Sequence, residues 1–166
     1  HSFIAAGITP DYSSVIVIAT ERISCKREDG SDIDPEQLGL MFCDFCKRVI
    51  STCGSIDRVY CDSAEQVLIA GFRTAAKRQG LRWLSIQNAL KDEINNRINL
   101  TVRLMAQGRF FYVDKQCDSL VDALRTAIWD PKERTKNVRL DDGTSDIDSL
   151  DSFEYTIERF ANQLIN

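Results

Sequence analysis

DRVYCDSAEQVLIAGFRTAAKR, residues 57–78, carries the switch that decides the fold. Val59, Tyr60 and Cys61 are strand formers, and their run predicts a short buried strand that ends on an acid, Asp62. From Ser63 to Arg78 the apolar residues recur at helical spacing, so the strand passes directly into a helix. Gly80 closes that helix and LRWLSI (81–86) predicts another strand. Strand, helix and strand in this order make a parallel crossover. In sheets of that kind ligands bind at the carboxyl ends of the strands, where Asp62 falls.

Upstream, SFIAAGIT (2–9) and SSVIVIAT (13–20) predict two strands joined by a hairpin-length loop at Pro10 and Asp11. Ile23 to Lys26 reads as a third strand. Asp34 then caps a helix opened by Pro35 that runs to about Thr52 and ends at Gly54. Downstream, residues 88–107 predict a long helix with Ile94, Ile98, Val102 and Met105 on one stripe. Phe110 to Val113 is extended, and a helix from Ser119 to Trp129 stops at Asp130-Pro131. The charged loop 131–145 precedes the last helix. A hairpin followed by strand–helix alternation predicts an α/β fold, with a mixed central sheet flanked by helices on both faces.

At 166 residues the chain is expected to form one domain. His1 in place of Met and the lack of a signal peptide lead to the expectation of an unexported fragment of something longer. No apolar run approaches the roughly 20 residues of a membrane span, so no membrane partner is expected. The net charge of −4 argues against a generic basic nucleic-acid coat. Residues 73 to 103 nevertheless place Arg73, Lys77, Arg78, Arg82, Lys91, Arg97 and Arg103 against only Asp92 and Glu93. That run is either a local basic surface or a set of solvated helix faces. Cys43 and Cys46 form a C-x₂-C inside an apolar-periodic helix with no second close pair, which predicts buried thiols rather than zinc ligands. With His1 the only histidine, no Ser-His or Cys-His pair can be drawn from the folded body. Trp83, Trp129 and Tyr155 are expected to pack.

The C-terminal stretch DDGTSDIDSLDSFEY concentrates Asp141, Asp142, Asp146, Asp148, Asp151 and Glu154 in fourteen residues. From Asp148 onward the acids interleave with a helical stripe of Leu150, Phe153, Ile157, Phe160 and Leu164. Like charges so close need something to offset their repulsion. Hard divalent ions such as Mg²⁺ and Mn²⁺ do this through carboxylate oxygens. The plainer reading is an N-terminal helical turn, where acids meet the helix dipole. A two-metal phosphodiesterase site draws its carboxylates from separate elements, one ion activating water and the other stabilising the leaving oxygen. Asp62, Asp148 and Asp151 form such a supply.

RVYCDSAEQVLIAGFR, the ALKDEINNRI helix, CDSLVDALRTAIWD and the terminal DDGTSDIDSLDSFEY resemble the C-terminal nuclease domain of tailed-phage large terminases. The resemblance runs in order over nearly the whole chain. Its most specific parts are D-S-A-E after a strand and D-x-L-D-x-x-E-Y at the end. It implies a ribonuclease H-like fold and a nuclease that cuts concatemeric phage DNA during packaging, with two Mg²⁺ or Mn²⁺ ions. It also implies double-stranded DNA, a portal protein and a small terminase subunit as partners, in the cytoplasm of the bacterial host. The family's second acid falls on Asp62, its C-terminal acid on Asp151, and a variable ligand position on Asp148. Where members end the first strand with a metal-binding Asp, this chain has Thr9; Asp11, two residues on, is the candidate substitute. No G-x₄-G-K-[ST] phosphate loop occurs, so the ATPase domain of such a protein would lie upstream. The alternative is a catalytically weakened domain of the same fold serving DNA or protein binding. A resolvase or transposase core is a third reading, without the D-S-A-E and E-Y contexts.

Overall fold

The computed structural model describes every residue except Cys25, Arg27, Glu28, 133–138, 141–145 and Asn166. Asp141 and Asp142 of the acid cluster, and most of the loop 131–145, therefore lie outside the described residues. In chain order the elements are β1 (Ser2–Ile8), β2 (Val15–Arg22), α1 (Pro35–Cys53), β3 (Val59–Cys61), α2 (Gln66–Arg78), β4 (Ile86–Asn88), α3 (Ile94–Ala106), β5 (Phe110–Tyr112), α4 (Asp118–Thr126), α5 (Ile147–Ile157), a 3₁₀ turn (Glu158–Phe160) and α6 (Ala161–Ile165). They form two compact units: His1 with Ile23–Ala89, and Ser2–Arg22 with Leu90–Asn166. The α/β class expected from the alternation holds, with a mixed sheet flanked by helices.

In the first unit β3 and β4 pair in parallel, Val59 opposite Ile86 and Cys61 opposite Asn88, with α2 as the crossover between them. Asp34 caps α1 by accepting from the Gln37 amide at 2.8 Å, and Gly54 ends it at φ +86°. α1 and α2 pack through stacked Phe42 and Phe72, ring centroids 4.7 Å apart. Gly39 permits that approach, because a β-carbon there would come within 2.9 Å of the Ala75 Cβ. Cys43 and Cys46 are buried on α1, as their apolar setting predicts.

Several expected boundaries move: α2 starts at Gln66 rather than Ser63, and β3 spans only Val59–Cys61. Ile23 and Ser24 are not strand: β2 ends at Arg22, and Lys26 makes an isolated bridge to Asp32. Residues 81–85 are not strand either. The Leu81 amide bonds back to Ala76 and the Leu84 amide to Leu81, so turn bonds use donors that a ladder would need, and β4 starts at Ile86. α3 starts at Ile94 rather than 88. The amides of Leu90, Lys91 and Asp92 instead donate to the buried Glu158 carboxylate at 2.6, 3.0 and 3.1 Å, with Lys91 at φ 55°.

In the second unit β1 and β2 pair antiparallel from Ser2–Arg22 to Ile8–Val15, with a register shift between Ala5 and Ala6. β5 adds in parallel to β2, Val15 opposite Phe110, so β2 is the middle strand and β1 an edge of this sheet. Val15 and Val17 meet Leu100 and Leu104 of α3, Leu120 and Ala123 of α4, Leu150, Phe153 and Ile157 of α5, and Leu164 of α6. Burying each large aliphatic side chain in such a core contributes about 1.5–3 kcal/mol. The α5 stripe is thus as expected, although a 3₁₀ turn interrupts its run to Leu164. The α3 stripe is not: Val102 and Met105 are exposed, while Arg97, Ile98, Leu100, Thr101 and Leu104 face inward. α4 ends at Thr126, three residues before Trp129, as Ala127 turns extended.

Candidate functional site

α5 begins with Asp146, whose carboxylate accepts from the Ser149 amide at 3.1 Å and its hydroxyl at 2.6 Å. Arg22 adds an ion pair at 3.6 Å. This buried acid is a helix cap. Asp148, two residues on in the first turn of α5, is exposed. Asp151 is 29% exposed and Glu154, three residues later on the same face, only 1%.

Two arginines answer these acids. Arg97 of α3 donates from Nη1 to Asp151 Oδ1 at 3.0 Å and to Glu154 Oε2 at 3.1 Å. Arg139 donates from Nη2 to Glu154 Oε1 and reaches Asp151 Oδ1 from Nη1 at 3.5 Å. Arg139 is brought there by its bridge to Trp129 and by the bond from the Leu140 amide to the Ile128 carbonyl. Arg97 is fixed further by donating from Nε to the Asp92 carbonyl and by the Tyr155 ring, 5.1 Å from its guanidinium. Tyr155 therefore packs, as expected, and supports a cation. The result is a closed quartet of two cations and two anions. Burial pushes the Glu154 carboxyl up, and Arg139 and Arg97 pull against that rise. Burial also works against the Arg97 charge, yet Asp151 and Glu154 hold its guanidinium above the ordinary arginine value. Removing one member of such a group strands a buried charge, at a cost of roughly 3–5 kcal/mol.

A second feature is the turn between β1 and β2. Thr9 follows the end of β1; its hydroxyl accepts from the Ser14 amide at 2.9 Å and lies 3.2 Å from the Ser13 hydroxyl. Asp11 accepts from the Ser13 amide at 3.1 Å. That amide, with the Thr9 and Ser13 hydroxyls, lowers the Asp11 carboxyl to about 2. Asp62 stands in the first unit, directly after β3. Its Oδ1 accepts from the Ala64 amide at 2.8 Å and its carbonyl from the Glu65 amide, which turns the chain into α2.

For a divalent ion the donors are right in kind, because carboxylate oxygens suit Mg²⁺ and Mn²⁺. Asp151 meets the requirement for a ligand: both guanidiniums bond Oδ1, and among the described residues no hydrogen bond reaches Oδ2. Also among the described residues, no three His, Cys, Asp or Glu side chains gather into a formed metal site.

No family model and no curated protein sequence matches the chain. A solved structure does: the nuclease domain of g2p, the large terminase of bacteriophage SPP1, crystallised with bound Mn. The TM-score is 0.59 over 96% of this chain and 78% of that one, at 13% sequence identity. The two chains share one fold. The resemblance read from the sequence is thus matched at the level of the fold.

Sequence reasoning missed the arginines of the quartet. It treated Arg97 as one of a run of surface cations, whereas Arg97 is 7% exposed. The available signal was its place beside Ile98 and four residues before Thr101, on the inward side of α3. Arg139 carried no such signal, since it lies in a loop of mixed charge. No described helix is long and apolar enough to cross a membrane.

Proposed function

We propose that this chain is a divalent-metal-dependent DNA endonuclease domain of a terminase large subunit, cutting concatemeric viral DNA during packaging in a bacterial host. The observation that carries this reading is the fold shared with a Mn-bound terminase nuclease domain over 96% of the chain. In this reading Asp62, Asp148 and Asp151 hold two Mg²⁺ or Mn²⁺ ions, with Asp11 serving in place of the acid that Thr9 replaces. The ions would supply Lewis acidity for phosphodiester hydrolysis. Asp62 is suited by its place at the end of a parallel strand, Asp151 by an Oδ2 that no hydrogen bond reaches among the described residues. Double-stranded DNA is the substrate, and a portal protein and small terminase subunit are the packaging partners. An ATPase domain would belong to the same full-length protein, preceding this one.

A second reading is a weakened domain kept for DNA or protein binding. Thr9 favours it, because its hydroxyl is spent inside the turn. Plasmid nicking separates the two. Nicking that needs Mn²⁺ or Mg²⁺, stops in EDTA and is lost in Asp62→Ala and Asp151→Ala supports the nuclease. Undiminished cutting in EDTA would exclude the metal mechanism, and DNA binding without cutting supports the second reading.

A further inference from the structure

We propose that Glu154 and Arg97 are positioning residues for Asp151, setting how its carboxylate is presented to a divalent ion; the inference rests on the nuclease reading above. Glu154 is not offered as a ligand. Its two oxygens are taken by two different guanidiniums, Oε1 by Arg139 and Oε2 by Arg97, and it is almost wholly shielded from solvent. Each of those guanidiniums then places a further bond on the same oxygen of Asp151, Oδ1. A carboxylate held by one oxygen from two sides cannot rotate freely, so Oδ2 has a defined direction. Asp151 is also the more exposed of the two acids, and among the described residues no hydrogen bond reaches its Oδ2. The charges matter as much as the geometry. With Glu154 ionised, two positive and two negative groups balance, and an approaching cation does not meet the net positive charge that two arginines on one aspartate would present. Partners of this sort behind a ligating carboxylate commonly set metal affinity within 10–100-fold.

The opposite reading is also physical: the arginines occupy Asp151 in competition with the metal. The two differ in sign. Glu154→Gln keeps the shape and removes the charge that anchors and balances the arginines. Arg97→Lys keeps a cation, but a point-charge ammonium cannot reproduce the fork of Nε on the Asp92 carbonyl and Nη1 on two carboxylates.

The test titrates Mn²⁺ alone into the 166-residue chain by calorimetry, with circular dichroism and melting temperature recorded for each variant. Both variants are expected to bind Mn²⁺ about 10-fold or more weakly than wild type while remaining folded at the titration temperature. Unchanged affinity with a lowered melting temperature would mean a purely structural quartet and overturn the proposal. Tighter binding in Arg97→Lys would mean competition and overturn it as well. Should Glu154→Gln fail to fold, Arg97→Lys carries the test. Absence of Mn²⁺ binding in wild type would sink the nuclease reading and this inference together. Binding that Asp151→Ala abolishes but neither variant changes would sink this inference alone.

Discussion

Arg109 donates from Nη2 to the Tyr12 carbonyl at 2.6 Å, and from Nε to the neighbouring Ser13 carbonyl at 2.7 Å. One guanidinium, 97 positions away, thereby closes the β1–β2 turn that carries Thr9 and Asp11, and Tyr12 sits there at φ 57°. Charge-assisted bonds to two successive carbonyls help hold Tyr12 in that region, together with the bond from its own amide to the Thr9 carbonyl at 2.8 Å.

Arg109→Ala should therefore cost on the order of 1–2 kcal/mol, read from urea unfolding. Arg109→Lys should recover only part of it, because an ammonium cannot bond both carbonyls in one fixed plane. Equal stability of all three proteins would show that the turn stands without the clamp.

The Asp11 carboxyl, lowered from 3.8 to about 2 by the Ser13 amide and the Thr9 and Ser13 hydroxyls, sets a pH signature. A pKa depressed in the folded state means that the ionised form favours folding. The contribution is fully present above the unfolded value and fades as pH falls from about 3.8 to about 2. The melting-temperature gap between wild type and Asp11→Ala should be constant from pH 5 to 8 and close near pH 2. A gap that widens on acidification would contradict the turn bonds.

Thr9→Asp tests the missing acid. A carboxylate can still accept from the Ser14 amide, so the turn should survive. The added charge should raise Mn²⁺ affinity and nicking rate together. If Asp11 already serves as ligand, Thr9→Asp should change little and Asp11→Ala should abolish nicking. Equal binding and nicking by all three proteins would remove both positions from the metal site.

The thiols of the first unit should differ in reactivity. Burial, with Cys43 and Cys61 nearby, pushes Cys46 up to about 12; burial pushes Cys61 up to about 11 against the opposing charge of Arg73. Cys53 is exposed. Since thiolate is the reactive form, maleimide at pH 8 should label Cys53 quickly, and Cys46 and Cys61 only in denaturant. Mass spectrometry of digested protein reads the outcome. Labelling of Cys46 at the rate of Cys53 would show that α1 opens in the native state.

Local patterns were legible before any coordinates. The Asp34–Pro35 start and Gly54 stop of α1, the β3–Asp62–α2 switch, and the Leu150, Phe153, Ile157 face of α5 follow from nearest-neighbour chemistry and periodicity. Such features depend on residues within a few positions of one another, so the chain itself determines them. Where distant groups claim a residue, sequence reasoning failed. Residues 90–92 read as helix, yet their amides turn to Glu158, 66 to 68 positions away. Arg97 read as a surface cation, yet it bonds acids 54 and 57 positions on. Tertiary structure alone decided which oxygen of Asp151 the arginines hold and which they leave. A buried charge must find its partner in space, and periodicity along the chain does not say which partner that will be.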